Sequence, residues 1–295
     1  MTHTDELRAE IERLAAELEE TNRGVMALYA ELDDRAEDLR RASEVKSRFL
    51  SDVSHELRTP LASVLNLSRL LLDRTDGPLT AEQELQVQLI RRSTESVTEL
   101  VNDLLDLAKI EAGKTTLRVT PFTATELFAA LRGMFRPLLT ERVALVVDEP
   151  DGVPTLRTDE GRVSQILRNF ISNALKFTES GEVRLSACRA PNGRIRFDVS
   201  DTGIGIAPED QGRIFEEFTQ VDVPVQRRVR GTGLGLPLSR KLATLLGGEI
   251  VMRSAVGAGS TFSLIIPAEC VVPDGDTPRG AFWPASREEE RGGHA

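Results

Sequence analysis

Apolar residues near the start of the chain recur at alternating steps of four and three, and this spacing constrains the fold more than any other feature. The seam is interrupted by Thr21 and Arg35 and runs through Leu7, Ile11, Leu14, Leu18, Thr21, Val25, Leu28, Leu32, Arg35, Leu39 and Ala42. Charged residues fill most positions between, as in an a/d heptad stripe. The pattern predicts a parallel coiled coil over residues 1–45, about 60 Å long at ~1.5 Å per residue. The alternative is a single amphipathic helix packed on another domain.

A second helical unit follows directly. Pro60 removes a backbone hydrogen bond and is expected to kink the helix that contains it. Thr80 and Gln83 have the spacing of a capping box that opens another helix, and Gly113 is placed to cap its C-terminus. Residues 46–112 are therefore predicted to form a helical hairpin. Because two helices bury little core alone, we expect a homodimer in which two hairpins make a four-helix bundle.

The pattern changes after residue 114 to short β-branched runs that alternate with helical stretches. Strands are predicted at Arg142–Val147, Glu182–Cys188, Arg194–Ser200, Glu249–Arg253 and Ser260–Ile266, and helices at about 123–135, 160–176 and 235–246. Residues 113–267 have the size of one α+β domain. Residues 268–295 are rich in Pro, Gly and charge, and are predicted to be a disordered tail.

Composition excludes several classes of protein. The 295 residues include 37 Lys and Arg against 47 Asp and Glu, a formal net charge of −10, which argues against direct binding of nucleic acid through its phosphates. The two cysteines, Cys188 and Cys270, do not have metal-ligand spacing and are too few for a disulfide framework, which fits a reducing compartment. No run approaches the ~18 apolar residues of a membrane span, and the N-terminus lacks the apolar core of a signal peptide. A cytoplasmic location without a membrane span is expected.

One histidine, His55, lies within the body of the chain. At 100° per residue it points about 170° from the centre of the apolar stripe formed by Phe49, Leu50, Val53, Leu57, Leu61 and Val64, which predicts an exposed side chain. Glu56 follows it, and Thr59 lies on the same helical face. A neutral imidazole is a competent nucleophile, and a neighbouring carboxylate orients one ring nitrogen. On geometry alone, an ordinary solvated histidine is an equal alternative.

Polar residues also recur on the helix predicted at 160–176. Gln165, Asn169, Asn173 and Lys176 fall along one face, and amide oxygens suit Mg²⁺. Such amides also often bond neighbouring loops. The glycine-rich segments DTGIGI (201–206), after a strand, and GTGLGL (231–236), before a helix, allow the backbone to approach a phosphate closely. Their spacing is not that of a P-loop, because no Lys-Ser/Thr follows.

Five segments together resemble the H, N, G1, F and G2 boxes of two-component sensor histidine kinases. They are SHELRTPL at 54–61, RVSQILRNFISNALKFT at 162–178, DTGIGI at 201–206, RIFEEFTQVD at 213–222 and GTGLGLPLSRKL at 231–242. The resemblance implies a dimeric HisKA four-helix bundle and a GHKL (Bergerat) ATP-binding domain that is an α+β two-layer sandwich. With the coiled coil predicted from the heptad spacing, the chain is expected to be multidomain. It also implies ATP and Mg²⁺ as cofactors.

The resemblance further implies roles for single residues. His55 would be the phospho-acceptor and Glu56 its general base, and Thr59 would position water in a reverse phosphatase reaction. Asn169 and Asn173 would contact Mg²⁺ and phosphate, and Asp201 the adenine amino group. The whole implied ATP site comprises Asn169, Asn173, Lys176, Asp201, Gly203, Gly205, Phe215, Arg227, Gly231, Thr232, Gly233, Leu234 and Gly235.

A lid at 207–230, held by Phe215 and Phe218, is implied between the two glycine segments. Arg227, Arg228 and Arg230 are placed to neutralise the triphosphate, and which of them does so is left open. Gln165 stands where ATP-hydrolysing GHKL proteins have a Glu that activates water. Because a neutral amide does not take a proton, ATP is expected to be kept for His55.

The implied partners are a second copy of the chain, a response-regulator receiver domain, and an upstream sensor protein that docks on the coiled coil. Three other interpretations stay open at this point. One is a catalytically silent scaffold that binds ATP; the others are a GHKL ATPase and a serine-directed kinase. The H-box segment argues against the last two.

Overall fold

The computed structural model describes residues 3–75, 77–139, 141–190, 192–220 and 232–269. Its helices are α1 (His3–Leu72), α2 (Ala81–Glu111), α3 (Ala124–Phe135), α4 (Glu160–Phe177) and α5 (Gly235–Leu245). Its strands are β1 (Thr120–Phe122), β2 (Val143–Val147), β3 (Leu156–Thr158), β4 (Gly181–Arg189), β5 (Ile195–Asp201), β6 (Glu249–Ala255) and β7 (Gly259–Ile266). Every predicted helix and strand is present, with bounds within a few residues of the prediction.

The helical hairpin is closed by the predicted local signals. Thr80 Oγ1 accepts a hydrogen bond from Gln83 N at 3.2 Å, and Gln83 Oε1 accepts one from Thr80 N at 2.9 Å. Gly113 follows α2 with φ +65°, and its N–H donates to Ile110 O at 3.0 Å. Both caps are confirmed. Helix α1 runs through Pro60 without interruption, so the predicted kink does not divide it.

The coiled-coil segment and the first hairpin helix form one continuous helix, α1. The seam residues whose side chains the structure describes are exposed, as at Leu18 and Leu28, with 64% and 62% exposure. The apolar stripe predicted around His55 is divided: Val53 and Leu61 are half-buried, whereas Phe49 is 63% exposed. The reason is that α2 covers one flank of the stripe, where Ser54 and Ser68 are also buried.

The C-terminal unit is an α+β sandwich of two layers. Its five-stranded sheet has the order β2-β4-β5-β7-β6, in which β2 and β4 are parallel and the other neighbours antiparallel. Helices α3, α4 and α5 cover one face. The centre of the core consists of fully buried residues from α4 and alternate strand positions, namely Ile166, Leu167, Phe170, Leu185, Phe197 and Leu264. This core fixes the position of α4 over the sheet.

A small ribbon was not predicted. β1 pairs antiparallel with β3, and Arg157 in β3 donates its N–H to Ala268 O at 2.8 Å and bridges to Glu269. Ordered structure thus continues past the predicted boundary at residue 267. Three-residue strands are too short to show a period in the sequence, which is why this ribbon escapes pattern analysis.

The end of the hairpin is packed on the sandwich. Arg162 Nη1 and Gln165 Nε2, both on α4, donate to Asp106 Oδ2 on α2 at 2.9 Å each. Lys241 on α5 pairs with Glu111 at the end of α2. Leu107, on α2, is 4% exposed and belongs to the core of the sandwich. Contacts between α2 and the sandwich are therefore both apolar and ionic.

Candidate functional site

The polar face of α4 lies against the start of α5. Asn173 Nδ2 donates to Asn169 Oδ1 at 3.3 Å, and Asn169 Nδ2 donates to Ser239 Oγ on α5 at 2.9 Å. Asp159 caps the helix and accepts a hydrogen bond from Arg162 N. The structure therefore brings the two predicted asparagines together.

Gln165 lies on the same helix but contacts another element. Its Nε2 donates to Asp106 of α2, and its Oε1 accepts from Arg162 Nη1 at 2.9 Å. The nitrogen of the carboxamide thus bonds to α2, and its oxygen bonds to an arginine of its own helix. A glutamate at 165 would place a second carboxylate against Asp106, and the two negative charges would repel each other. The neutral amide of Gln165 avoids this repulsion.

The first residue of α5 approaches the asparagines very closely. A Cβ at Gly235 would collide with Asn169 Oδ1, so a larger residue at the start of α5 would displace the Asn169 carboxamide. The first N–H groups of a helix have no partner in its own ladder and attract anions. Amide oxygens and free N–H groups meet here, a combination that suits a cation together with phosphate. The preceding turn is closed by Thr232, whose Oγ1 accepts from Leu234 N at 3.2 Å.

Asp201 lies at the end of β5, and its Oδ1 accepts hydrogen bonds from Gly203 N at 2.8 Å and Ser260 N at 3.2 Å. Burial raises the pKa of this carboxyl group, and the two backbone hydrogen bonds act in the opposite direction. A Cβ at Gly203 would collide with Phe177 O, and one at Gly205 with Ala255 O. The DTGIGI turn is therefore packed directly between α4 and β6.

Lys176 completes the polar face of α4. Its ammonium lies 5.1 Å from the ring centroid of Phe177, and burial lowers its pKa. The residue is half-buried, and a negatively charged phosphate near this face would stabilise the charged ammonium and so oppose the effect of burial on its pKa.

The two phenylalanines implied for the lid behave differently. The ring of Phe215 lies edge-on to Phe262, with centroids 6.5 Å apart, and under the guanidinium of Arg240 at 4.0 Å. Phe218 is 64% exposed with φ +60°, and its N–H donates to Gly233 O at 3.1 Å. Phe215 is thus anchored by its ring, whereas Phe218 is held through its backbone.

Several predicted site residues lie outside the described part of the chain. They are Arg227, the alternatives Arg228 and Arg230, and Gly231; Cys270 and residues 271–295 of the predicted tail also lie outside the described part. The backbone of His55 is helical within α1, and its side chain is outside the described set. Its predicted exposure therefore stays a prediction.

Glu56 and Thr59 are exposed on α1, one and four residues after His55. Arg58 on the same segment donates to Asn102 Oδ1 of α2 at 3.4 Å. Asn102 lies about one turn before Asp106, which contacts the first turn of α4. The H-box segment and the beginning of the N box thus contact neighbouring turns of the same helix.

Sequence reasoning did not single out Ser239, Ser260 or Asp106. Ser239 had a detectable signal, because it falls on the same helical face as the apolar residues Leu242 and Ala243, and buried hydroxyls need partners. Ser260 acts through its backbone N–H, which carries no side-chain signal. Asp106 contacts residues far away in the sequence, so only the folded chain shows its role.

Two family models match the chain. The model of the His Kinase A (phospho-acceptor) domain matches residues 45–113. The model described as histidine kinase-, DNA gyrase B-, and HSP90-like ATPase matches residues 158–269. The first covers the hairpin with His55, and the second covers α4, Asp201 and α5.

Curated relatives match over most of the chain. The circadian input-output histidine kinase CikA of Synechococcus elongatus is 41% identical over 252 residues, which is 84% of this chain and 33% of that protein. The signal transduction histidine-protein kinase BarA of Escherichia coli is 36% identical over 267 residues, covering 88% of this chain and 28% of that protein. This chain spans about a third or less of the length of these relatives.

Solved structures agree with the relatives. Full-length ShkA in complex with AMPPNP matches with a TM-score of 0.61 and 39% identity over 74% of this chain and 45% of that one. The histidine kinase AdeS of Acinetobacter baumannii matches with a TM-score of 0.52 and 22% identity over 72% of this chain and 98% of that one, which supports the fold. With a phospho-acceptor hairpin followed by the ATPase sandwich, this chain belongs to the two-component sensor histidine kinases.

Proposed function

We propose that the protein uses Mg-ATP to phosphorylate His55 and then passes the phosphoryl group to an aspartate of a separate response regulator. The observation that carries this proposal is the junction of α4 and α5. There the carboxamides of Asn169 and Asn173 meet the helix start at Gly235. The HisKA-like hairpin that contains His55 is packed on the same sandwich.

The residues of the sandwich fit Mg-ATP. Asp201 is held by two backbone N–H groups on one oxygen, which orients the carboxylate that we assign to the adenine amino group. Asn169 and Asn173 supply amide oxygens for Mg²⁺, which when bound would neutralise phosphate charge. We assign Lys176 and the N-terminus of α5 to the phosphates. Phe215, through its contact with Phe262, anchors the start of the lid.

The hairpin supplies the nucleophile. One nitrogen of the neutral His55 ring attacks the γ-phosphorus, so that an N–P bond forms while the bond from that phosphorus to the leaving ADP oxygen breaks. Glu56 accepts the proton from the other ring nitrogen. Thr59, one turn further on, is the residue we assign to water positioning when the phosphorylated regulator is hydrolysed.

Two copies of the chain are required in this proposal. The hairpin exposes apolar side chains on both of its helices, as at Leu67, Leu85 and Leu89 with 61%, 57% and 53% exposure. A second hairpin would bury them in a four-helix bundle, and the exposed seam of α1 would continue that pairing as a coiled coil. An upstream sensor protein would act on this coiled coil at residues 1–45.

The response regulator and the location are also part of the proposal. LuxQ of Vibrio harveyi, a relative that is 36% identical over 236 residues, is named as a sensor kinase and phosphatase. This name supports a kinase role for Glu56 and a phosphatase role for Thr59. In the described residues, no helix is both long enough and apolar enough to cross a membrane. Because ATP is an intracellular substrate, we place the described domains in the cytoplasm.

The test is incubation of the full chain with γ-labelled ATP and Mg²⁺. We expect an acid-labile, base-stable label on wild type and on the control His3→Gln, and none on His55→Gln. A label that survives acid would indicate a serine-directed kinase, and phosphate release without protein labelling would indicate an ATPase. Nucleotide binding with neither protein labelling nor phosphate release would indicate a catalytically silent scaffold. Each of these three outcomes would overturn the proposal.

A further inference from the structure

Ser239 is a polar residue on the buried side of α5. It is 2% exposed, and the buried residues around it on α5 are apolar, including Leu238, Leu242 and Ala243. A buried hydroxyl in such surroundings costs free energy unless it has a hydrogen-bond partner. Its partner is on another helix, because Ser239 Oγ accepts a hydrogen bond from Asn169 Nδ2 at 2.9 Å.

This hydrogen bond and the one that Asn173 donates to Asn169 Oδ1 together hold one orientation of the Asn169 carboxamide. A carboxamide has an oxygen that accepts and a nitrogen that donates, and the two exchange places when the group rotates by half a turn. With the nitrogen on Ser239, the oxygen lies on the side of Asn173, whose Nδ2 donates to it at 3.3 Å. Glycine at 235 leaves space beside that oxygen, since a Cβ there would collide with it.

We infer that Ser239 is a positioning residue for Mg²⁺-dependent nucleotide binding, because its hydroxyl keeps the oxygen of Asn169 turned toward the cation. This inference rests on the proposed function, in which Asn169 is a Mg²⁺ ligand. Mg²⁺ takes oxygen ligands, and the rotated amide would present N–H donors that repel it. Partners that orient a metal ligand typically change metal affinity by about 10- to 100-fold when removed.

The test compares Ser239→Ala with wild type in full-length protein. The measurement is binding of a fluorescent ATP analogue across a Mg²⁺ titration, with a second series in EDTA. We expect the Mg²⁺ concentration for half-maximal binding to rise about 10- to 100-fold, with weak binding in EDTA unchanged. Ser239→Thr, which keeps the oxygen, should restore most of the Mg²⁺ dependence, and thermal melting reports whether each variant is folded.

A matched control is Ser263→Ala. Ser263 is also a buried serine of the sandwich, at 4% exposure, but its Oγ donates to Asp198, which Arg196 also contacts. Its loss should leave the Mg²⁺ titration at wild-type values. An equal change in both alanine variants would show a general packing effect and overturn the inference.

A second experiment isolates the orientation of the amide. In an Asn169→Asp background the side chain presents an oxygen in either orientation, so adding Ser239→Ala should shift the Mg²⁺ titration by less than about 3-fold. A shift as large as in the Asn169 protein would overturn the inference. If Ser239→Ala binds the analogue with the same Mg²⁺ dependence as the wild-type protein, the inference is overturned and the proposed function is not. If the wild-type protein itself binds the analogue without any effect of Mg²⁺, the proposed function is overturned as well.

Discussion

The helical hairpin and the ATPase sandwich use apolar residues in opposite ways. On α4 the apolar residues Ile166, Leu167 and Phe170 have no exposed surface, because the sheet covers them. On the hairpin, apolar residues of similar size such as Leu85 and Leu89 are more than half exposed. The core of the sandwich is therefore buried within one chain, whereas the hairpin exposes apolar surface that a second hairpin covers in the proposed dimer.

The largest expected effect concerns the exposed apolar face of the hairpin. Leu85→Lys combined with Leu89→Lys should raise the dimer dissociation constant by at least about 100-fold, because each buried leucine contributes about 1.5–3 kcal/mol and a symmetric dimer contains each twice. Sedimentation equilibrium measures this change. Val256→Lys is the control, since Val256 is also exposed, at 69%, but lies in the sandwich. A double-lysine variant that stays dimeric would contradict the assignment of this face.

The next effect concerns the completed core. Phe170→Ala should lower the free energy of unfolding of the sandwich by about 3–5 kcal/mol, because it leaves a cavity against Phe262, whose ring centroid lies 5.3 Å away. Denaturant unfolding measures the loss. Met134→Ala, at a half-exposed position of α3, should change the same quantity by less than about 0.5 kcal/mol. Similar losses for both would refute a core centred on α4.

A pH effect is expected where the two regions meet. The pKa of Asp103 on α2 is raised to about 6 by burial first, then by Glu99 and Asp106, against the opposing effect of Arg168 on α4. Between about pH 4 and pH 6 the carboxyl group of Asp103 is therefore protonated in the folded chain and ionised in the unfolded chain. The free energy of unfolding consequently falls as the pH rises through this range.

Asp103→Asn should therefore raise the free energy of unfolding by about 1–2 kcal/mol at pH 8, a value reduced for partial solvent exposure. The gain should vanish near pH 4. Unfolding measured across this range tests it, with the exposed Asp33→Asn as the control for a change of charge alone. An equal gain at every pH would show that the carboxyl group of Asp103 does not titrate as described.

The smallest effect concerns a local signal. Thr80→Ala should lower the free energy of unfolding by about 1 kcal/mol, because it removes the acceptor for Gln83 N at the start of α2. Thr80→Ser keeps the hydroxyl and should stay close to wild type. If Thr80→Ala lowers the free energy of unfolding as much as Phe170→Ala does, Thr80 stabilises more than the two hydrogen bonds of the capping box.

The elements that the sequence pattern predicts are those whose causes are local. The capping box at Thr80, the end of α2 at Gly113 and the polar face with Asn169 and Asn173 were all confirmed, because a few neighbouring residues determine each of them. The ribbon at β1 and β3 was not predicted, because a pair of short strands leaves no period.

The sequence by itself determined the helix ends, the order of helices and strands, and the residue types at the nucleotide site, since these depend on spacing within single elements. Only the tertiary structure decided which partner each polar group contacts. Gln165 was predicted on the face of α4 that carries the asparagines, and the fold adds its partner Asp106 on α2. The fold likewise places Ser239 of α5 against Asn169. The physical reason is that a hydrogen bond depends on distances of about 3 Å, and packing of helices remote in the sequence sets those distances.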